Sequence, residues 1–102
     1  MPTDVLFDDK TDTGASDSID CIGYANIEIR IWSNEANPDA SVELQAGGTP
    51  WFVLATQDLA STNPGIWSIP TTAAVRLDVI TNASGKKVNA TITRSKFEGG
   101  PG

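Results

Sequence analysis

The sequence predicts an all-β fold, an antiparallel β-sandwich of about seven to eight short strands. Two observations carry this expectation. Apolar and polar residues alternate with period 2 in four separate segments, and turn-forming residues punctuate the chain between them. A third is negative: no stretch of ten residues shows a clean 3.6-residue period. A small β-barrel uses the same alternation and is the alternative architecture.

A chain of 102 residues forms one domain, large enough for a modest core without metal or disulfides. Residues 1–17, MPTDVLFDDKTDTGASD, read as an extended N-terminal arm. In it Val5, Leu6 and Phe7 form an isolated apolar plug on an acidic, Gly/Ser/Thr-containing tether. Residues 18–96 read as the sandwich, and 97–102, FEGGPG, as a flexible C-terminal tail.

Along the sandwich, Ser18–Ile22 is a weak strand. ANIEIRIWS then places Ile27, Ile29 and Ile31 on one face, with Glu28, Arg30 and Trp32 on the other. In SVELQA, Val42 and Leu44 oppose Ser41, Glu43 and Gln45. Two further weak strands are expected at Trp51–Thr56 and Ile66–Ile69. AVRLDVIT sets Val75, Leu77 and Val79 against Arg76 and Asp78, and VNATITRS sets Val88, Ala90 and Ile92 against polar residues. Strands of this pattern belong to antiparallel sheets with one wet face. NEANPDA, GGTP, QDLASTNPG, IPTTA and NASGKK supply the turns, with room for a single helical turn in TQDLAS.

One stretch breaks the alternation. After Gly47-Gly48, the run WFVLA is apolar throughout. As a strand it sends Trp51 and Val53 one way and Phe52 and Leu54 the other. One pair can enter a sandwich core; the other needs cover from a neighbouring subunit or from the Val5-Leu6-Phe7 plug. An uncovered sheet edge invites association, so a partner is expected.

Composition excludes more than it assigns. The net charge is −6, and residues 1–20 contribute six Asp against Lys10. No basic face supports nucleic-acid binding or a grip on anionic membranes. No apolar run approaches a membrane span, and the N-terminus lacks the pattern of a secretory signal. There is no His, which removes Ser-His-Asp and Cys-His nucleophiles and His-bearing zinc sites. Cys21 is the single cysteine and reads as a small buried hydrophobe. The Asp-rich leader lacks the spacing of an EF-hand loop. The expectation is therefore no catalytic residues, no metal site and no cofactor. The candidate interface residues are Val5, Leu6, Phe7, Trp32, Trp51, Phe52, Leu54 and Trp67. Aromatic side chains at these positions suit a core or a subunit contact. A solvent-facing Trp beside Asp58, Asn63 or Asn82 would instead suit glycan binding.

The region from Ser41 to Ser95 resembles a small β-domain common in tailed-phage structural proteins. The landmarks are Gly47-Gly48, Trp51 with Leu54, Pro64-Gly65, and Val75-Arg76-Leu77-Asp78-Val79. The resemblance implies a virion structural protein, made in the host cytoplasm and carried on the capsid surface as a decoration (cement) protein. It implies a homo-oligomer, a trimer by preference, with the major capsid protein or another virion protein as partner. A tail, neck or baseplate component and a carbohydrate-binding adhesin module are the alternatives.

Overall fold

The computed structural model describes residues 3–69 and 74–95, so the expected tail at 97–102 and the turn at 70–73 lie outside the described residues. Among the described residues nine strands occur. In chain order they are β1 (Thr3–Lys10), β2 (Gly14–Ala15), β3 (Ile19–Asp20), β4 (Asn26–Trp32), β5 (Ser41–Gly47), β6 (Trp51–Asp58), β7 (Gly65–Ile69), β8 (Ala74–Thr81) and β9 (Val88–Ser95). They form two antiparallel sheets packed as a sandwich. One has the order β1-β9-β4-β7; the other has the order β2-β8-β5-β6, with β3 also pairing with β8.

The alternation read from the sequence is the alternation that folds. Ile27, Ile29 and Ile31 of β4 and Val88, Ala90 and Ile92 of β9 are buried from one sheet. Val42 and Leu44 of β5 and Val75, Leu77 and Val79 of β8 meet them from the other. Period-2 side chains on a pleated strand point to one face, so each strand contributes a row of Val, Ile or Leu to one shared core. Cys21 is fully buried in that core. Its apolar surroundings push the thiol pKa up, since burial disfavours the thiolate.

The N-terminal segment is not a detached arm. Residues 3–10 form β1, an edge strand paired with β9. Val5 sits opposite Thr91, but Phe7 sits opposite Ala90, so the register shifts by one across Leu6. Strict alternation would point Val5 and Phe7 to the same face. The bulge instead leaves Val5 65% exposed and delivers Phe7 to the core at 5%. A second irregularity follows at Asp9, whose φ is 51°. Asn89 holds it: the Asp9 N–H donates to Asn89 Oδ1 at 2.9 Å, and Asn89 Nδ2 donates to Asp9 Oδ1 at 3.2 Å.

From β1 the chain crosses to the other sheet, where β2 and β3 line one edge of β8. Ser16 secures the crossing, its N–H donating to the Leu77 carbonyl at 2.7 Å and its Oγ accepting from the Leu77 N–H at 3.0 Å. The strand expected over Ser18–Ile22 is short because Asp20 Oδ1 takes the Ile22 N–H at 2.9 Å. On the far side of the sandwich, β6 and β7 are the open edges. The Asp58 carbonyl accepts from the Ser61 and Thr62 N–H groups, making one isolated turn between them. Gly65 lies where β7 passes Gln57; a Cβ there would come 2.7 Å from Gln57 Cδ.

Candidate functional site

The exposed side chains of β6 form the feature that the fold leaves unexplained. The strand begins after Gly47 and Gly48, whose φ values of 117° and 152° are ones that side-chain-bearing residues rarely adopt. It then pairs with β5, Phe52 opposite Ala46 and Val53 opposite Gln45. The next pair is Ala55 with Leu44, so Leu54 has no opposite number. This bulge decides the fate of WFVLA. Neither expected pair enters the core. Phe52, Val53 and Leu54 are 62%, 53% and 53% exposed, three apolar side chains in a row, and only Ala55 packs against the core. Across the sandwich edge, Ile66 of β7 is 56% exposed.

Beside this strip the outer face of the sheet is polar and internally satisfied. Arg76 Nε donates to Gln45 Oε1 at 2.7 Å, and Gln45 Nε2 donates to Glu43 Oε1 at 3.0 Å and to Asp78 Oδ2 at 3.5 Å. The Arg76 guanidinium lies 4.5 Å from the centre of the Trp51 ring. That stacking is a cation–π contact, and it occupies a face of the indole. Glu43 and Asp78 thus serve to orient one amide. They are not arranged as an acid–base pair across a cleft.

The other sequence-predicted residues are dispersed. Leu6 and Trp67 are half-buried against the core, and Trp32 is half-buried on the outer face of its sheet opposite Asn89. All three tryptophans are half-buried, none standing free as a flat platform. The polar groups expected to accompany a glycan are engaged in holding loops. Asp58 Oδ1 accepts the Ala60 N–H at 3.0 Å, Asn63 spans both backbone groups of Ser33, and Asn82 Nδ2 donates to the Lys86 carbonyl. A depression of about 210 Å³ lies on the other sheet, lined by Asn26, Glu28, Ser68, Thr93 and Ser95 with Ile27 and Ile69.

The opposite side, along β1 to β3, is acidic. Asp4 pairs with Arg94 at 2.9 Å, and Arg94 also donates to the Asp20 carbonyl and stacks 4.7 Å from the Tyr24 ring. Lys10 pairs with Asp12 at 3.0 Å. That hydrogen bond, with the charge behind it, holds the Asp12 carboxyl below its ordinary pKa. Among the described residues no group of three or more Cys, Asp or Glu side chains is placed to hold a metal ion.

Sequence reading missed Val53 and Ile66 as exposed positions. Strict alternation turns Val53 to the same side as Trp51, and no sequence signal marks the bulge at Leu54. Ile66 stands in a short run, GIWSI, whose outward face could be told only from its pairing with Arg30.

No protein-family model matches the chain, and no curated protein sequence does. Solved structures do. The chain is similar to YomS, a protein derived from the SPBc2 prophage, with a TM-score of 0.69, 11% identity and 92% of each chain covered. It is similar to part of a putative α-L-fucosidase from Bacteroides thetaiotaomicron, with a TM-score of 0.60 and 13% identity. That match covers 91% of this chain but 22% of the fucosidase. It is also similar to the Bacillus endospore appendages, described as disulfide-linked pili, with a TM-score of 0.53, 15% identity, and 94% and 88% covered. At these identities the likeness is one of fold: this small all-β sandwich is shared with a prophage-derived protein of nearly the same extent.

Proposed function

We propose that this chain is a virion structural protein that attaches to the outside of a phage capsid as a decoration protein and stabilises the shell. The observation that carries a binding role is the Phe52-Val53-Leu54 strip, apolar and exposed on an open sheet edge. Exposed apolar patches on small soluble domains mark contact surfaces. The particle-borne role draws on the fold shared with prophage-derived YomS. Attachment to the shell falls to the acidic β1–β3 side, whose Asp8, Asp9, Asp17 and Asp20 suit a basic rim on the capsid.

The test is to add purified protein to phage heads that lack it, and to measure occupancy and the temperature at which the heads open. Saturable binding that raises the opening temperature is expected, falling sharply between about 0.05 and 0.5 M salt, over which the screening length shrinks roughly threefold. Heads that remain bare at low salt would remove the capsid reading and turn attention to the tail, neck or baseplate.

A further inference from the structure

From the distribution of charge around the open edges, we infer that the β6–β7 side is the seat of a second copy of this chain, packed about a two-fold axis that passes near Val53. Between Glu43 and Arg76 the chain has a single charged residue, Asp58. Its carboxylate is engaged by its own turn, Oδ1 taking the Ala60 N–H at 3.0 Å and Oδ2 lying 3.4 Å from Ser61 Oγ. Arg76, beside the strip, and Arg30, beside β7, are also occupied. Arg76 is held by Gln45 and Trp51, and Arg30, opposite Ile66, pairs with Glu28 at 2.9 Å.

This side, with a single carboxylate held in its own turn, sits on a molecule with a net charge of −6. Two such molecules repel wherever their acidic surfaces face each other. The β6–β7 side is where they can approach without that cost, and it is also where three consecutive apolar side chains are left open; Val5 and Ile22, exposed on the β1–β3 side, stand singly among Asp residues. A cationic partner would gain nothing there and would be drawn to β1–β3 instead. The occupant that fits an uncharged, apolar strip on an acidic protein is therefore the same strip on a second copy.

The strip is suited to a two-fold. Centred on Val53, an antiparallel approach sets Val53 against its own counterpart, with Phe52 and Leu54 of each copy flanking the axis. An isologous contact needs this self-complementarity, in which each residue's partner on the other copy is reciprocated. The three side chains supply an apolar centre, and the remainder of β6 and β7 a mostly polar rim whose one charge is Asp58. Because β1–β3 and β6–β7 are opposite sides of the sandwich, such a pair carries its two acidic sides at its far ends. On the capsid reading above, on which this last step rests, the pair is a bivalent clamp whose second attachment is made at high effective concentration.

The test uses the full chain. Light scattering at about 10–100 μM should give twice the 10.8 kDa chain mass, and Val53→Asp should return one chain mass with the near-ultraviolet dichroism of the tryptophans unchanged. Val53→Cys should form a covalent dimer under mild oxidation at least tenfold faster than Thr11→Cys, which lies on the opposite side; Cys21 is buried and does not compete. A wild-type monomer, a trimer, or equal rates for the two cysteine variants would overturn the pairing. Head binding is measured separately with the Val53→Asp monomer. Retained but weaker binding is the expected result. A wild-type dimer that binds no heads would remove the capsid reading alone, and a wild-type monomer that binds heads fully would remove the pairing alone.

Discussion

The two open sides of this sandwich handle the same difficulty in different ways. On one, β1 and the short strands β2 and β3 are edges laden with Asp, stitched down by Arg94, Lys10 and Asn89. On the other, β6 and β7 are edges with one charged residue between them and with apolar side chains turned to solvent. Both β1 and β6 contain a bulge. In β1 the bulge turns an aromatic ring, Phe7, into the core. In β6 it leaves three apolar residues outside. Edge strands are kept from pairing by charge, bulges or covering elements. Charge guards the first side of this molecule, and the second is open to a partner.

The largest effect should separate the two aromatic residues of these edges. Phe7→Ala, at a site 5% exposed, should cost about 3–5 kcal/mol in a urea titration. Phe52→Ala should stay within about 0.5 kcal/mol, because it removes surface the monomer does not bury. Equal losses would erase the distinction. Next is Arg94→Ala, which removes the guanidinium's contacts with Asp4, the Asp20 carbonyl and the Tyr24 ring together. A loss of about 1–3 kcal/mol is expected. Faster amide exchange should appear along β1 but not β6. For the same reason, removing residues 1–12 should destabilise the whole sandwich, where a detached arm would be dispensable.

Leu54→Lys is expected to leave stability within about 0.5 kcal/mol while abolishing retention on a hydrophobic column. The smallest effect is in acid. The Asp12 carboxyl is held below its ordinary pKa by Lys10, so its contribution is present above the unfolded value and lost as pH falls through the folded one. Asp12 is fully exposed, and the effect is correspondingly slight. Asp12→Asn should flatten the acid limb of the stability curve. Association through Phe52, Val53 and Leu54, which carry no titratable group, should persist over the same range.

The core strands were legible for a plain reason. In β4, β5, β8 and β9, the residues that alternate in the sequence are the residues that are buried, with both neighbouring strands in place to enforce the pleat. Sequence reading faltered at the edges. Val5-Leu6-Phe7 reads as a plug on a tether because three apolar residues in a row match no strand period. WFVLA reads as a strand with two apolar faces for the same reason.

Taken alone, the sequence determined the all-β class, the four core rows, the Gly47-Gly48 turn and the acidic N-terminal segment. These depend on local periodicity, backbone permissiveness and charge, all of which are written residue by residue. Only the tertiary structure decided that β1 is a strand of the sheet, that Phe7 lies inside, and that Phe52, Val53 and Leu54 lie outside. A bulge shifts the face of every residue beyond it, and its position is set by the register against the partner strand, here Ala90 for Phe7 and Leu44 for Ala55. Register is a property of two segments far apart in the chain, and neither segment carries it by itself.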